Sequence, residues 1–485
     1  MKSVAIIGGG IAGVTAAALL AREGHDVTLL EGSREWGGSA GKFTRKDLTY
    51  PVGATLGMGF QRGGIHDRVL QHLGLDVETE LLDLVMTIKI DGHDVAYYHD
   101  RARFIGELQD VFPQQAQQIG AFFEEIDKIQ RHVAPLMESL PALPVRTLYD
   151  AQLIIKEAQS SLPLLPYVTQ TVGQVLRRHG LEGSVFARLV DGILLDSMQT
   201  GQEASALLGA VALSIYHDGA YYVPGGLYRV AEILKESAEH DGATMLLGRK
   251  ITSVMQTADG FLLEDRRGRL MLADVVIGAL PLEAMQRLVS PPLLRTLKRT
   301  YARQRKLAQW ATFTYYAAFP EKLVTSDSAF RQIHDERLPS GHAFLSLSRS
   351  GDVKRAPEGV RTLTMSCHVP IGYFDATDNV HYGHQIERMQ DVFETIVEQE
   401  FPGFREQAIE RHPGGPGAWV RYTSRPDGGV GGYPQLRSTS LFRAASFRTG
   451  VPNLYVIGDT VFPGAGTIGA STSAIHVARQ LGVKI

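Results

Sequence analysis

The chain has a single cysteine, Cys367, among its 485 residues. An intramolecular disulfide is therefore excluded and a thiolate zinc site lacks ligands, so a reducing, cytoplasmic setting is expected. Long apolar runs are also missing. Ala206 to Ile215, the longest candidate, is about half of what a membrane span requires, so any bilayer contact is expected to be peripheral. The apolar run after Lys2 is too short for a secretory signal and ends in Gly8-Gly9-Gly10. Charge of one sign is absent too. The net charge of −3 arises from 52 acidic and 49 basic residues, and their interspersion argues against nucleic acid as a partner, which demands a concentrated basic surface. His381 and His384 lack a third ligand and read as loop histidines, so no metal site is expected.

What is abundant is glycine, and its placement carries the chemistry. Ser3-Val-Ala-Ile-Ile7 reads as a buried parallel strand, Gly8-x-Gly10-x-x-Gly13 follows it, and Val14 to Glu23 reads as a small-residue helix. Asp26 to Leu30 is a second strand ending in Glu31. A glycine triplet between strand and helix, with an acid at this distance, is the dinucleotide fingerprint. Gly8 allows the tight turn, Gly10 admits a pyrophosphate, and Gly13 lets helix and strand pack closely. Ile11 and Ala12 open the helix, whose free N–H groups favour phosphate. Glu31 suits ribose hydroxyls and repels a 2′-phosphate. A second glycine pair, Gly37-Gly38, followed by Ser39, favours FAD over NAD. The Gly37–Gly41 stretch also matches a hydrolase nucleophile pattern, but Lys42 to Asp47 is not the apolar helix that reading needs.

Two later stretches complete the same site. Leu227 to His240 has helical spacing; strands follow at Met245–Leu247, Ile251–Gln256 and Phe261–Glu264, and Asp274–Ala279 returns to the parallel sheet. By analogy the backbone near Ile251 meets the adenine. Asn453 to Asp459 reads as a strand ending in Gly458-Asp459, which places a carboxylate at the crevice of the sheet, suited to a ribityl hydroxyl. The Gly469–Leu481 helix then points its N-terminus at the flavin. No second complete fingerprint exists: Gly428-Gly-Val-Gly-Gly432 has neither a buried strand before it nor a helix after it, so a separate NAD(P)H domain is not expected.

Between these stretches, residues 100–215 read as mostly helical. Ile119, Phe122, Ile126, Ile129, Val133 and Leu136 form one apolar face. Leu162-Pro-Leu-Leu-Pro-Tyr167, with Arg177-Arg178-His179 downstream, reads either as a lip touching lipid or as a buried turn beside a solvated charge cluster. Ala308–Tyr316, Ala343–Leu347 and Thr362–His368 suggest a second, mixed sheet, followed by a helix near Tyr382–Gln399. No catalytic dyad is evident.

Four segments resemble the carotenoid/retinoid oxidoreductase family of phytoene desaturases, carotenoid isomerases and retinol saturases: Gly8–Gly38, Tyr222-Val-Pro-Gly-Gly226, Tyr422–Pro434 and Gly458–Gly466. The resemblance implies an α/β fold with a Rossmann-type FAD domain in separated segments (1–75, 216–290, 436–485), a mixed-sheet substrate domain (76–99, 291–435) and a helical cap (100–215). It implies non-covalent FAD held by Gly8, Gly10, Ile11, Ala12, Gly13, Glu31, Gly38, Ser39, Ala54, Thr55, Ile251, Gly458, Asp459 and Ile468. Tyr422, Arg425 and Asp427 read as a structural turn. The expected activity is desaturation of a carotenoid or related polyisoprenoid by hydride transfer to flavin. The alternatives are polyene isomerisation or saturation by reduced FAD, amine oxidation, and non-catalytic prenyl binding.

Overall fold

The computed structural model describes every residue except 158–160, 305, 306, 308, 327 and 376. Three segments far apart in the chain meet in one parallel sheet. Its five strands run in the order Thr244–Leu246, Asp26–Leu30, Ser3–Ile7, Val275–Gly278 and Leu454–Val456. Parallel strands are covered on both faces, which explains their unbroken β-branched and aliphatic runs. Val4, Ala5, Ile6, Val27, Leu29, Val275, Val276 and Ile277 are fully buried. Against them pack the helices Ile11–Arg22, Tyr228–His240 and Gly466–Gln480, together with a three-stranded antiparallel sheet that contributes Val254, Phe261 and Leu263. The first helix begins at Ile11, three residues before the expected Val14, because Gly10 is its N-cap.

The second sheet is mixed. Glu410–Gly414, Trp310–Pro320, Val360–Pro370, His342–Leu347, Phe330–His334, Leu84–Ile90 and His93–Tyr98 follow one another across it. All neighbouring pairs are antiparallel except Phe330–His334 with Leu84–Ile90. Ala308, the expected start of the second strand, lies outside the described residues. Within the glycine-rich stretch, Gly429–Val430 is a short strand that pairs with Trp310 and Ala311; among the described residues no strand directly precedes the stretch and no α-helix directly follows it. The helix Asn379–Glu400 covers the sheet with Met389, Phe393, Ile396 and Val397. His381 and His384 lie within that helix rather than in a loop, because the Asp378 carboxylate caps it at the N–H groups of Val380 and His381.

The cap is helical, as its spacing indicated. Ala116–Ser139 buries Ile119, Phe122, Ile126, Ile129 and Val133 in one cluster with Val85, Ile88 and Tyr97 of the mixed sheet, while Leu136 is only half-buried. Val185–Met198 lies across the sheet's centre and carries Asp196 toward it. The longest apolar candidate in the sequence ends early: the helix is Ala206–Ala212. Among the described residues, no helix is long and apolar enough to cross a membrane.

Candidate active site

The glycines of the first turn have distinct physical reasons. Gly8 has φ 109°, and a Cβ on it would stand 2.5 Å from the Ala279 carbonyl oxygen. A Cβ on Gly13 would fall 2.0 Å from the Gly8 oxygen. Both positions are fixed by the protein's own backbone. Gly10 is different. Its φ of −71° and ψ of 176° suit any residue, and an added Cβ would meet nothing within 3.8 Å of it, the nearest atom being Gly37 O at 3.9 Å. Neither strain nor packing demands glycine there, so the requirement comes from something the protein itself does not supply: a ligand that must touch the backbone. Ile11 and Ala12 begin the helix just beyond it, and no side chain caps that terminus. Its amides and dipole are left for an anion.

The remaining cofactor candidates gather around this turn. Gly37 forms a parallel bridge with Gly10, and Gly38, at φ 57°, presses so close that its Cβ would sit 3.1 Å from the Gly10 Cα. The Ser39 carbonyl accepts the Ala54 N–H at 3.0 Å, which sets Ala54 and the buried Thr55 beside the glycine pair. The Glu31 carboxylate accepts the N–H groups of Gly9 and Ser33, each at 2.6 Å. Two donors hold it at the edge of the cradle, and its oxygens keep lone pairs to spare. Ile251 is buried and follows Lys250, whose side chain covers Gly32; this places it beside Glu31. Gly458, at φ 116°, donates its N–H to Ser473 Oγ at 2.9 Å and turns the chain so that Asp459 faces the cradle. Ile468 stands one step farther out, against Gly59.

A cavity of about 690 Å³ opens between the cap and the mixed sheet. Leu195, Leu307, Trp310, Pro370, Pro434 and Leu436 form its apolar walls. The chain links its wall to the Asp459 turn: Gly432, two residues before the lining Pro434, packs on the Asp459 backbone, and Gly431 packs on the lining Gln199. His334 and His342 stand in the wall as well, and a polar cluster lies behind them. Asp196 Oδ1 is 2.9 Å from His342 Nε2 and 3.7 Å from His368 Nδ1, while Gln332 Nε2 donates to Asp196 Oδ2 at 2.7 Å. Burial alone would depress the His342 pKa, but the Asp196 charge and hydrogen bond outweigh it and raise it. Burial brings His368 down to about 4, and His334, in the cavity wall beside Gln332, down to about 3. The group is thus a buried carboxylate held by His342 and Gln332, with the neutral imidazoles of His368 and His334 beside it. Next to Gly432, the Tyr433 hydroxyl donates to Glu283, which also accepts from Gln309 at 3.2 Å.

With this geometry in place, likeness to known proteins can be weighed. The sequence model for flavin containing amine oxidoreductases matches residues 11–482. The chain belongs to that family. It is an FAD-dependent oxidoreductase whose resemblance to carotenoid-acting enzymes extends along its whole length. Prolycopene isomerase 1, a chloroplastic protein of an Oncidium hybrid cultivar, is 24% identical over 99% of this chain and 84% of its own. The carotenoid 3,4-desaturase of Haloarcula japonica is 24% identical over 99% of this chain and 98% of its own. A putrescine oxidase double mutant shares the fold, with a TM-score of 0.68 at 16% identity, covering 100% of this chain and 99% of that one.

In this flavoenzyme the candidate cradle is built from runs of neighbouring residues, whereas two side-chain groups carry no local sequence signal. The Asp196 cluster draws on one cap helix and three strands, and nothing in local spacing announces it. Arg425 was read as part of a structural turn with Tyr422 and Asp427. That reading fits the other two, which are exposed. Arg425 instead points inward and pairs with Asp459 Oδ2 at 2.7 Å. The apolar lip is split: Leu162 and Leu165 are exposed, Leu164 and Tyr167 are buried. Arg177 and Arg178 are already engaged by Glu182 and Glu125. Among the described residues no group of His, Cys, Asp or Glu could hold a metal ion.

Proposed function

We propose that the enzyme removes hydride from a carotenoid or related polyisoprenoid, so that desaturation is its net reaction. The supporting observation is the 690 Å³ cavity with Leu195, Leu307, Trp310 and Leu436 in its wall, whose lining Pro434 lies two residues from the Gly432 that packs on Asp459, in a chain similar over its full length to a carotenoid desaturase. In this reading FAD sits non-covalently on Gly8, Gly10, Ile11, Ala12, Gly13, Glu31, Gly38, Ser39, Ala54, Thr55, Gly458 and Asp459, with Ile251 at the adenine and Ile468 farther out. The three-part division at residues 75, 99, 215, 290 and 435 belongs to the same proposal.

Bound FAD supplies a two-electron acceptor for the hydride. The protein's task is to align an activated C–H group and keep water from the resulting cation until the adjacent carbon loses a proton and the new double bond forms. Leu195, Leu307, Trp310 and Leu436 provide such a wall. The Asp196 carboxylate lies behind it, held by His342 and Gln332. Carotenoids reside in lipid, so delivery from a bilayer is favoured over capture from water. Leu148, Ile155, Leu162 and Leu165 are exposed by 60% or more on the cap and form the apolar surface we assign to peripheral membrane contact.

Product mass tests the reading. Cells supplied with different polyenes should yield products lacking two hydrogens per step. An unchanged mass with altered geometry would replace desaturation with isomerisation, and a gain of two hydrogens would indicate saturation. A second reading is favoured by the charge of the cavity lining, where Asp91, Asp191, Glu203, Asp335 and Glu336 outnumber Arg188. Such a lining suits a cationic amine. Peroxide release with an amine, and no change in any polyene, would establish that alternative.

A further inference from the structure

The cofactor cradle carries a charge problem that the glycine turns do not solve. An FAD diphosphate brings two negative charges to a site already bordered by Glu31 and Asp459. The uncapped helix at Ile11 offers roughly half a positive charge, too little to balance them. Among the described residues, the sole Lys or Arg whose side chain bonds a member of the candidate cofactor set is Arg425.

Its guanidinium lies where the two ends of the cradle meet. Nε donates to Ser39 Oγ at 3.1 Å, Nη1 to the Gly429 carbonyl at 3.2 Å, and Nη2 pairs with Asp459 Oδ2 at 2.7 Å. Ser39 follows Gly38, which touches Gly10; Asp459 follows Gly458. One side chain therefore joins the amino-terminal glycine turns to the carboxyl-terminal turn, across a separation of 386 residues on the Ser39 side. Both Arg425 and Asp459 side chains are mostly buried, at 14% and 13% exposure, so their charges are weakly screened. A guanidinium has five N–H donors. Each nitrogen here uses one, and two donors remain, one on each terminal nitrogen.

We infer that Arg425 is a cofactor-binding residue: it bridges Ser39 and Asp459 and directs its remaining donors to the diphosphate of FAD. A loop of the glycine-rich Tyr422–Pro434 stretch thereby takes part in cofactor binding, and the mixed-sheet half of the chain closes the cradle. The alternative role is purely structural, with Arg425 serving as counter-ion to Asp459.

Direct titration of the apo-protein with FAD, at low and at high salt, separates the two. Arg425→Gln should weaken FAD binding by about 30-fold, as expected for loss of a charge-assisted contact. Its affinity should also depend less on salt than that of the unaltered protein, and Arg425→Lys should retain most of that dependence. A glutamine variant that binds within about threefold of the unaltered protein overturns the inference. So does a weakened variant with unchanged salt dependence, because that marks lost packing and not a lost charge. If Arg425→Gln does not fold, the lysine variant decides: retained salt dependence supports the role, and weaker binding with no electrostatic signature refutes it. The readout is cofactor affinity, so the outcome is independent of which substrate the enzyme oxidises.

Discussion

The nucleotide-binding half and the cavity half solve the burial of polar groups in different ways. Around Gly8–Gly13 the ligand-facing groups are backbone N–H groups at a strand–helix turn, and the strands behind them are wholly apolar. Around the cavity the working groups are side chains: Asp196 from a cap helix meets Gln332, His342 and His368 from three strands. A backbone site needs only the right local dihedrals and the absence of a Cβ. A side-chain site needs several elements held in register, and each buried charge in it must keep its partner. The first half should therefore be sensitive to single glycine replacements, and the second to loss of any charged partner.

The largest effect is expected in the second half. Asp196→Ala takes away the acceptor shared by the buried His342 and Gln332 side chains and should cost about 3–5 kcal/mol in urea unfolding; a loss below about 1 kcal/mol would mean the group is solvated and the contrast false. In the first half, Gly13→Ala drives a Cβ into rigid backbone and should cost about 3 kcal/mol or more, with FAD binding lost alongside.

Acid should sharpen the regional difference. Burial lowers the pKa of His66, His217 and His368 to about 4 and of His334 and His476 to about 3. A folded pKa below the unfolded one means the unfolded chain binds more protons, so stability holds above pH 6.5 and falls toward pH 4. The raised His342 acts in the opposite sense: its contribution is complete below pH 6.5 and declines as pH rises through its folded value. One histidine against five leaves a net acid loss of at least about 1.4 kcal/mol per pH unit. His334 and His368 both lie in the mixed sheet, within the Asp196 cluster, so amide exchange should quicken there first. A flat stability profile between pH 6.5 and 4 would refute this. The smallest effect on folding is expected for Gly10→Ala, under about 1 kcal/mol, yet FAD affinity should fall by about tenfold or more. Calorimetry of the apo-protein beside an FAD titration would show both.

Legibility in the sequence followed the same divide. The Ser3–Ile7 and Asp26–Leu30 strands were placed to the residue, because aliphatic runs and glycine punctuation are local signals. The Val14 helix start was late by three residues, since the N-cap is a glycine that looks like part of the turn. The Gly429–Val430 strand was unreadable: its pairing partner Trp310 lies over a hundred positions away and supplies the only reason for its extended form.

By itself the amino-acid sequence determined that this chain carries a parallel sheet with a dinucleotide turn at Gly8–Gly13 and a returning Gly458-Asp459, because those demands are written in neighbouring residues. Tertiary structure alone decided that Arg425 turns inward to Ser39 and that Asp196 meets His342, 146 residues distant. An ion pair has no sequence period. It forms where folding brings two charges together and removes the water between them.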